Sequence, residues 1–203
     1  MSSEKRVAMK ADHLAWAYAV AANNWLLWRE DYECGNARRL PVLTEHARWD
    51  FFVTEYSVFR GVIGPLRERI KDVFLNTQRF ANAVRDDTGA ELEQLAIYLA
   101  GMGHQIGTQR SLVSKLASFA KPQTFIAWDA TARHGLRLLD YGHDANSYPE
   151  FLKRVNALWR DHYGEQIKRF SSNQRLRGVP TTRVAFQRRM LDVHLMTMGN
   201  RWM

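Results

Sequence analysis

Two residues that could do chemistry, Lys115 and Asp129, stand fourteen positions apart in the stretch SLVSKLASFAKPQTFIAWDATAR, residues 111–133. A lysine amine attacks an electrophilic carbon, such as the anomeric carbon of a sugar, only when it is neutral. With an ordinary pKa near 10.4, less than about one part in a thousand is neutral at pH 7. A lysine nucleophile therefore needs surroundings that disfavour ammonium, which the positive end of a helix and partial burial both provide. A carboxylate that stabilises a developing sugar cation has the opposite need. It must stay charged, and an aspartate that accepts backbone N–H bonds at a helix N-cap does so. The spacing predicts Lys115 in the first turns of one helix and Asp129 at the start of the next. Around them, Arg110, Ser111 and Ser114 could hold a phosphate at a helix N-terminus, and Trp128 could stack an extruded base. Plain capping and core packing account for the same residue types equally simply.

The elements that must position these residues are helices. Residues 12–29 carry Leu14, Tyr18, Ala21, Trp25 and Trp28 at helical spacing. Thr44 opens a second helix through about Val62, striped by Trp49, Phe52, Tyr56 and Phe59. Gly64-Pro65 breaks it and opens a third on Leu66, Ile70 and Phe74. Thr88 to Glu91 reads as a capping box ahead of Leu92, Leu95, Ala96 and Leu99, and Gly101, Gly103 and Gly107 close that helix. Ser147 to Glu150 reads as a second box, with its helix running to about Arg160. The last helix follows Pro180 and runs to Gly199, with Phe186, Met190, Val193 and Met198 on one side. Only residues 123–128 could be extended. The fold class expected is all-α, about eight to nine helices in two abutting lobes, residues 1–87 and 88–203.

Helix, tight turn near Gly107–Arg110, helix with Lys115, short loop and helix begun by Asp129: this order over residues 95–140 resembles the helix-hairpin-helix DNA glycosylase superfamily, in particular its 8-oxoguanine glycosylase-like branch. Ser114-Lys115-Leu116-Ala117 is similar to the family's lysine segment, and Ile126-Ala127-Trp128-Asp129 to its aspartate segment. Where the family's hairpin usually carries Pro and two glycines, this chain has Arg110, Ser111 and Val113. The resemblance implies a DNA-binding protein involved in base excision, with Lys115 as nucleophile, Asp129 as its electrostatic partner and no cofactor.

Charge points the same way. Of 29 basic and 21 acidic residues, residues 151–203 hold 11 basic and 3 acidic, so the whole excess of +8 lies in the last quarter. Arginine, the better bidentate phosphate ligand, outnumbers lysine 22 to 7. Arg175, Arg177, Arg188 and Arg189 are the expected electrostatic footprint for DNA. A rival resemblance is to helical ribonucleases of the HEPN type, which carry Arg, four to six residues, then His. Arg189 to His194 fits on the final helix, as do Arg39 to His46 and Arg137 to His143, about as many as chance supplies in so arginine-rich a chain. A nucleic-acid-binding relative without chemistry is the other alternative. The single Cys34 excludes a disulfide framework and a cysteine zinc site, the histidines show no metal spacing, and both fit a cytoplasmic location. Lys5, Arg6 and Lys10 ahead of LAWAYAVAA imitate a signal peptide, but Asp12, His13 and the embedded aromatics favour a buried helix. No membrane span is expected.

Overall fold

Helical spacing becomes helix nearly throughout the described chain. The computed structural model describes residues 9–27, 64–75, 78–102, 109–141 and 145–200. They form α1 (Ala11–Leu27), α2 (Gly64–Leu75), α3 (Arg79–Ala83), α4 (Ala90–Gly101), α5 (Arg110–Ala120), α6 (Ala130–Leu138), α7 (Tyr148–Leu158), α8 (Gly164–Ser172) and α9 (Val184–Asn200). A π-helical turn, Trp159–Tyr163, joins α7 to α8 without a break. No strand occurs among the described residues, and the segment expected to be extended, 123–128, is turn and irregular loop. The all-α expectation holds. The helix predicted over Thr44–Val62, Trp28, and Gly103 and Gly107 lie outside the described residues.

The predicted signal-like segment is α1, which buries Ala17, Ala21, Ala22 and Trp25. Buried side chains from Met9 to Leu195 form one continuous core drawing on both predicted lobes. Among the described residues no helix is long and apolar enough to cross a membrane.

The two predicted capping boxes form differently. At α4 the N-cap is Gly89, whose φ of 80° suits a residue without a Cβ. Asp86 takes most of the capping role, accepting the N–H of Thr88 at 3.0 Å and that of Glu91 at 3.1 Å, while the Thr88 hydroxyl accepts the Ala90 N–H at 3.3 Å. At α7 the Ser147 side chain makes no cap bond, but Glu150 reaches back to the Asn146 N–H at 3.0 Å. A carboxylate, Asp86 at one helix and Glu150 at the other, does most of the work, and sequence spacing alone does not choose it over Thr88 or Ser147.

The centre of the fold is α9. Instead of one apolar stripe it buries nearly its whole circumference, including Gln187, Arg188, Asp192 and His194. It packs antiparallel to α6, with Gly135 opposite Leu195 and Gly199 opposite Thr131. A Cβ on Gly135 would lie 2.0 Å from the Leu195 carbonyl oxygen, and one on Gly199 would lie 2.0 Å from that of Thr131. The two backbones are in contact, which leaves no space for even one methyl. We therefore expect Gly135→Ala to destabilise the fold by about 3 kcal/mol in urea unfolding. Gly101→Ala, where a Cβ meets nothing within 4 Å, should be neutral or stabilise by about 0.5 kcal/mol. Equal effects of the two substitutions would contradict this packing.

Candidate functional site

Asp129 is the N-cap of α6, as the sequence predicts. Its backbone is extended (φ −134°, ψ 167°), and its carboxylate accepts the Ala132 N–H at 2.6 Å. Lys115 departs from expectation. Because α5 begins at Arg110, Lys115 is its sixth residue, in the second turn, beyond the reach of the helix's positive end. It is partly exposed.

One hydrogen bond brings the two segments together. Ser114 Oγ accepts the buried Trp128 N–H at 2.8 Å, joining the residue before Lys115 to the residue before Asp129. Ser114 is 1% exposed, and its hydroxyl also points at the Ser111 carbonyl at 3.3 Å. It is thus an internal tie and does not face a phosphate. Ser111 is exposed.

Arg110 is also committed internally. It grips Glu93 with a forked pair of bonds, Nε donating at 2.8 Å to each oxygen, and Glu93 accepts the Tyr148 N–H at 3.0 Å. Burial works to raise the Glu93 carboxyl, but these bonds and the Arg110 charge bring it below the usual range. The triad fastens the start of α5 to α4 and α7. Trp128 is buried rather than open to a base. It packs edge-on against Phe151 at 5.3 Å, with the guanidinium groups of Arg110 and Arg133 at 5.3 and 4.8 Å from its centre.

Behind Asp129 lies a buried charged cluster absent from the sequence reading. Arg188, predicted as a surface contact, is 3% exposed and donates to the Thr124 carbonyl at 3.2 Å. Burial pulls its pKa down to about 10, against the opposing pull of Tyr148 and Asp192, so it remains a cation at neutral pH. Arg189 is ion-paired with Asp192, which is 2% exposed. Burial and the nearby Asp129 charge push the Asp192 carboxyl up to about 6, although Arg189 and Arg188 oppose them. Arg188 Nε and Asp192 Oδ1 have no hydrogen-bond partner among the described residues. These residues line a cavity of about 10 Å³, too small to admit a substrate. Neither Lys115 nor Asp129 lines it.

The ribonuclease pair does not converge. Residues five apart on a helix point about 140° from each other. Arg189 faces Asp192 and the 118–126 region, whereas His194 is 2% exposed and packs against His13 and Tyr163 at 5.6 and 5.3 Å. Arg39, His46 and His143 lie outside the described residues. No group of three metal-ligating side chains occurs among the described residues.

Among the described residues of the last quarter, the exposed cations are Lys153, Arg160, Arg169, Arg175, Arg177 and Arg183. Arg160 is ion-paired with Asp161 and Lys153 lies on α7, which leaves Arg169, Arg175, Arg177 and Arg183 as the open basic surface at the end of α8 and along the loop to α9. Arg175 and Arg177 were expected there. Arg169 and Arg183 were missed, though each follows the same pattern of an arginine beside a loop-rich stretch.

No family model, curated protein or solved structure matches this chain.

Asp192 generates a pH prediction. Its pKa is higher folded than unfolded, so the native state holds the extra proton between about pH 4 and 6. Stability then falls as pH rises through that window. Asp192→Asn, isosteric with the protonated acid, should gain on the wild type by on the order of 2 kcal/mol between pH 4 and pH 7 in parallel urea titrations. Parallel curves across that range would exclude a carboxyl perturbed in this direction.

Proposed function

We propose that this chain is a DNA-binding protein of the helix-hairpin-helix kind that excises a base, with Lys115 as nucleophile and Asp129 as its electrostatic partner. The observation that carries the reading is the Ser114–Trp128 hydrogen bond, which sets the segment bearing Lys115 against the segment bearing a capped Asp129. In this mechanism the Lys115 amine forms a bond to C1′ of the deoxyribose as the glycosidic C1′–N bond breaks, and the base departs with a proton. Ring opening then leaves an imine between Lys115 and the sugar. The Asp129 carboxylate stabilises the cationic character that develops at C1′. Lys115 is partly buried in the second turn of α5, and its amine must give up a proton before it attacks. The open arginines beside α8 supply the phosphate contacts.

Two predictions test this reading. Borohydride should trap a covalent adduct with abasic or damaged duplex DNA, and Lys115→Gln should abolish it while DNA binding persists. Asp129→Asn retains an N-cap acceptor and should lose no more than about 1 kcal/mol of stability, yet slow adduct formation by on the order of 10²–10³. An adduct that survives Lys115→Gln would remove Lys115 from the role. Lys121 is the next amine in sequence, and it is already ion-paired with Asp87. Binding without any adduct would leave the non-catalytic relative.

Affinity for duplex should also fall linearly with the logarithm of salt concentration, with a slope of about −0.9 per phosphate neutralised. Joint replacement of Arg169, Arg175, Arg177 and Arg183 should flatten that slope. An unchanged slope would place the DNA footprint elsewhere.

A further inference from the structure

A groove between α3 and α4 has features of a binding site that the Lys115–Asp129 region does not use. It has a volume of about 230 Å³ and is lined by Arg79, Asn82, Glu91, Gln94, Leu95 and Tyr98. That lies below the range of about 300–1,000 Å³ for drug-sized ligands and suits a single ring system. One wall is already a stacked pair: the Arg79 guanidinium lies 4.3 Å from the centre of the Tyr98 ring. Tyr98 is 39% exposed, and Leu95, 5% exposed, gives the groove an apolar surface.

The polar groups fit one kind of occupant. Asn82 and Gln94 each carry an amide with both donors and an acceptor, and Glu91 adds acceptors. One arginine and one glutamate balance each other, so a phosphate gains little net attraction here. A flat neutral ring with donors and acceptors on its edge gains both stacking and hydrogen bonds. Guanidinium planes and aromatic rings are the surfaces on which unstacked bases settle.

We infer that this groove binds an unstacked nucleobase from single-stranded or locally opened nucleic acid, with the Arg79–Tyr98 stack as its platform and Gln94 and Asn82 reading its edge. The site is separate from the excision chemistry and stands whether or not Lys115 forms an imine.

The test compares two short single-stranded oligonucleotides of equal length and phosphate number, one with bases and one wholly abasic, titrated into the intact protein and followed by fluorescence anisotropy. Wild type should prefer the base-bearing strand by about 5- to 100-fold. Tyr98→Ala should bring that preference close to unity without changing affinity for the abasic strand. Gln94→Ala should reduce it in part, and Tyr98→Phe should keep most of it. Circular-dichroism melting of each variant confirms that the fold survives. Equal binding of both strands by wild type, or a preference that persists in Tyr98→Ala, overturns the inference.

Discussion

The backbones of α6 and α9 touch, and much of the described structure follows from that contact. Where Gly135 meets the Leu195 carbonyl and Gly199 meets the Thr131 carbonyl, the two helices approach more closely than any side chain allows. With α6 on one side, α1 on another and the 125–129 loop alongside, α9 is left with little solvent-facing surface. Its polar residues therefore sit in the interior, where a charge persists only if paired or hydrogen-bonded. Arg188 finds the Thr124 carbonyl and Asp192 finds Arg189. This explains why a helix with two consecutive arginines contributes little to the outer charge.

The loop before α6 is governed by the same contact. Once α6 is fixed antiparallel to α9, residues 125–129 must run beside α9 to reach its start. The backbone amide of Trp128 would be buried on that path without a partner, a loss of about 1–3 kcal/mol. Ser114 supplies the acceptor. The hydroxyl that satisfies this amide also fixes where Asp129 begins its cap and which part of α5 lies opposite. Arg110 and Glu93 hold the start of the same helix, so α5 is pinned at one end by an ion pair and at its middle by a serine.

The helices were legible in the sequence because apolar residues recur at helical spacing, and α1, α2 and α4 bury their predicted stripes. The cap at Asp129 was legible because an aspartate before a new helical run has one common structural use. Three features were not. Helical periodicity cannot distinguish a helix buried on one side from one buried all round, so Arg188 read as a surface cation. Ser114 read as a phosphate ligand because its partner, the Trp128 amide, is a backbone group that carries no residue signature. The join of α7 to α8 through a π-helical turn was invisible, since the Trp159–Tyr163 stretch offers no proline or loop composition to mark it. Tertiary contact decided all three.

The Ser114 hydroxyl holds the Trp128–Asp129 corner against α5. Hydrogen exchange at the Trp128 amide tests it most directly. In the wild type this amide should exchange slowly, protected to a degree comparable with the helical amides of α5. In Ser114→Ala its protection should fall by at least about tenfold while the amides of α9 remain slow. A Trp128 amide that exchanges freely in the wild type, or one whose protection is unchanged in Ser114→Ala, would contradict the account.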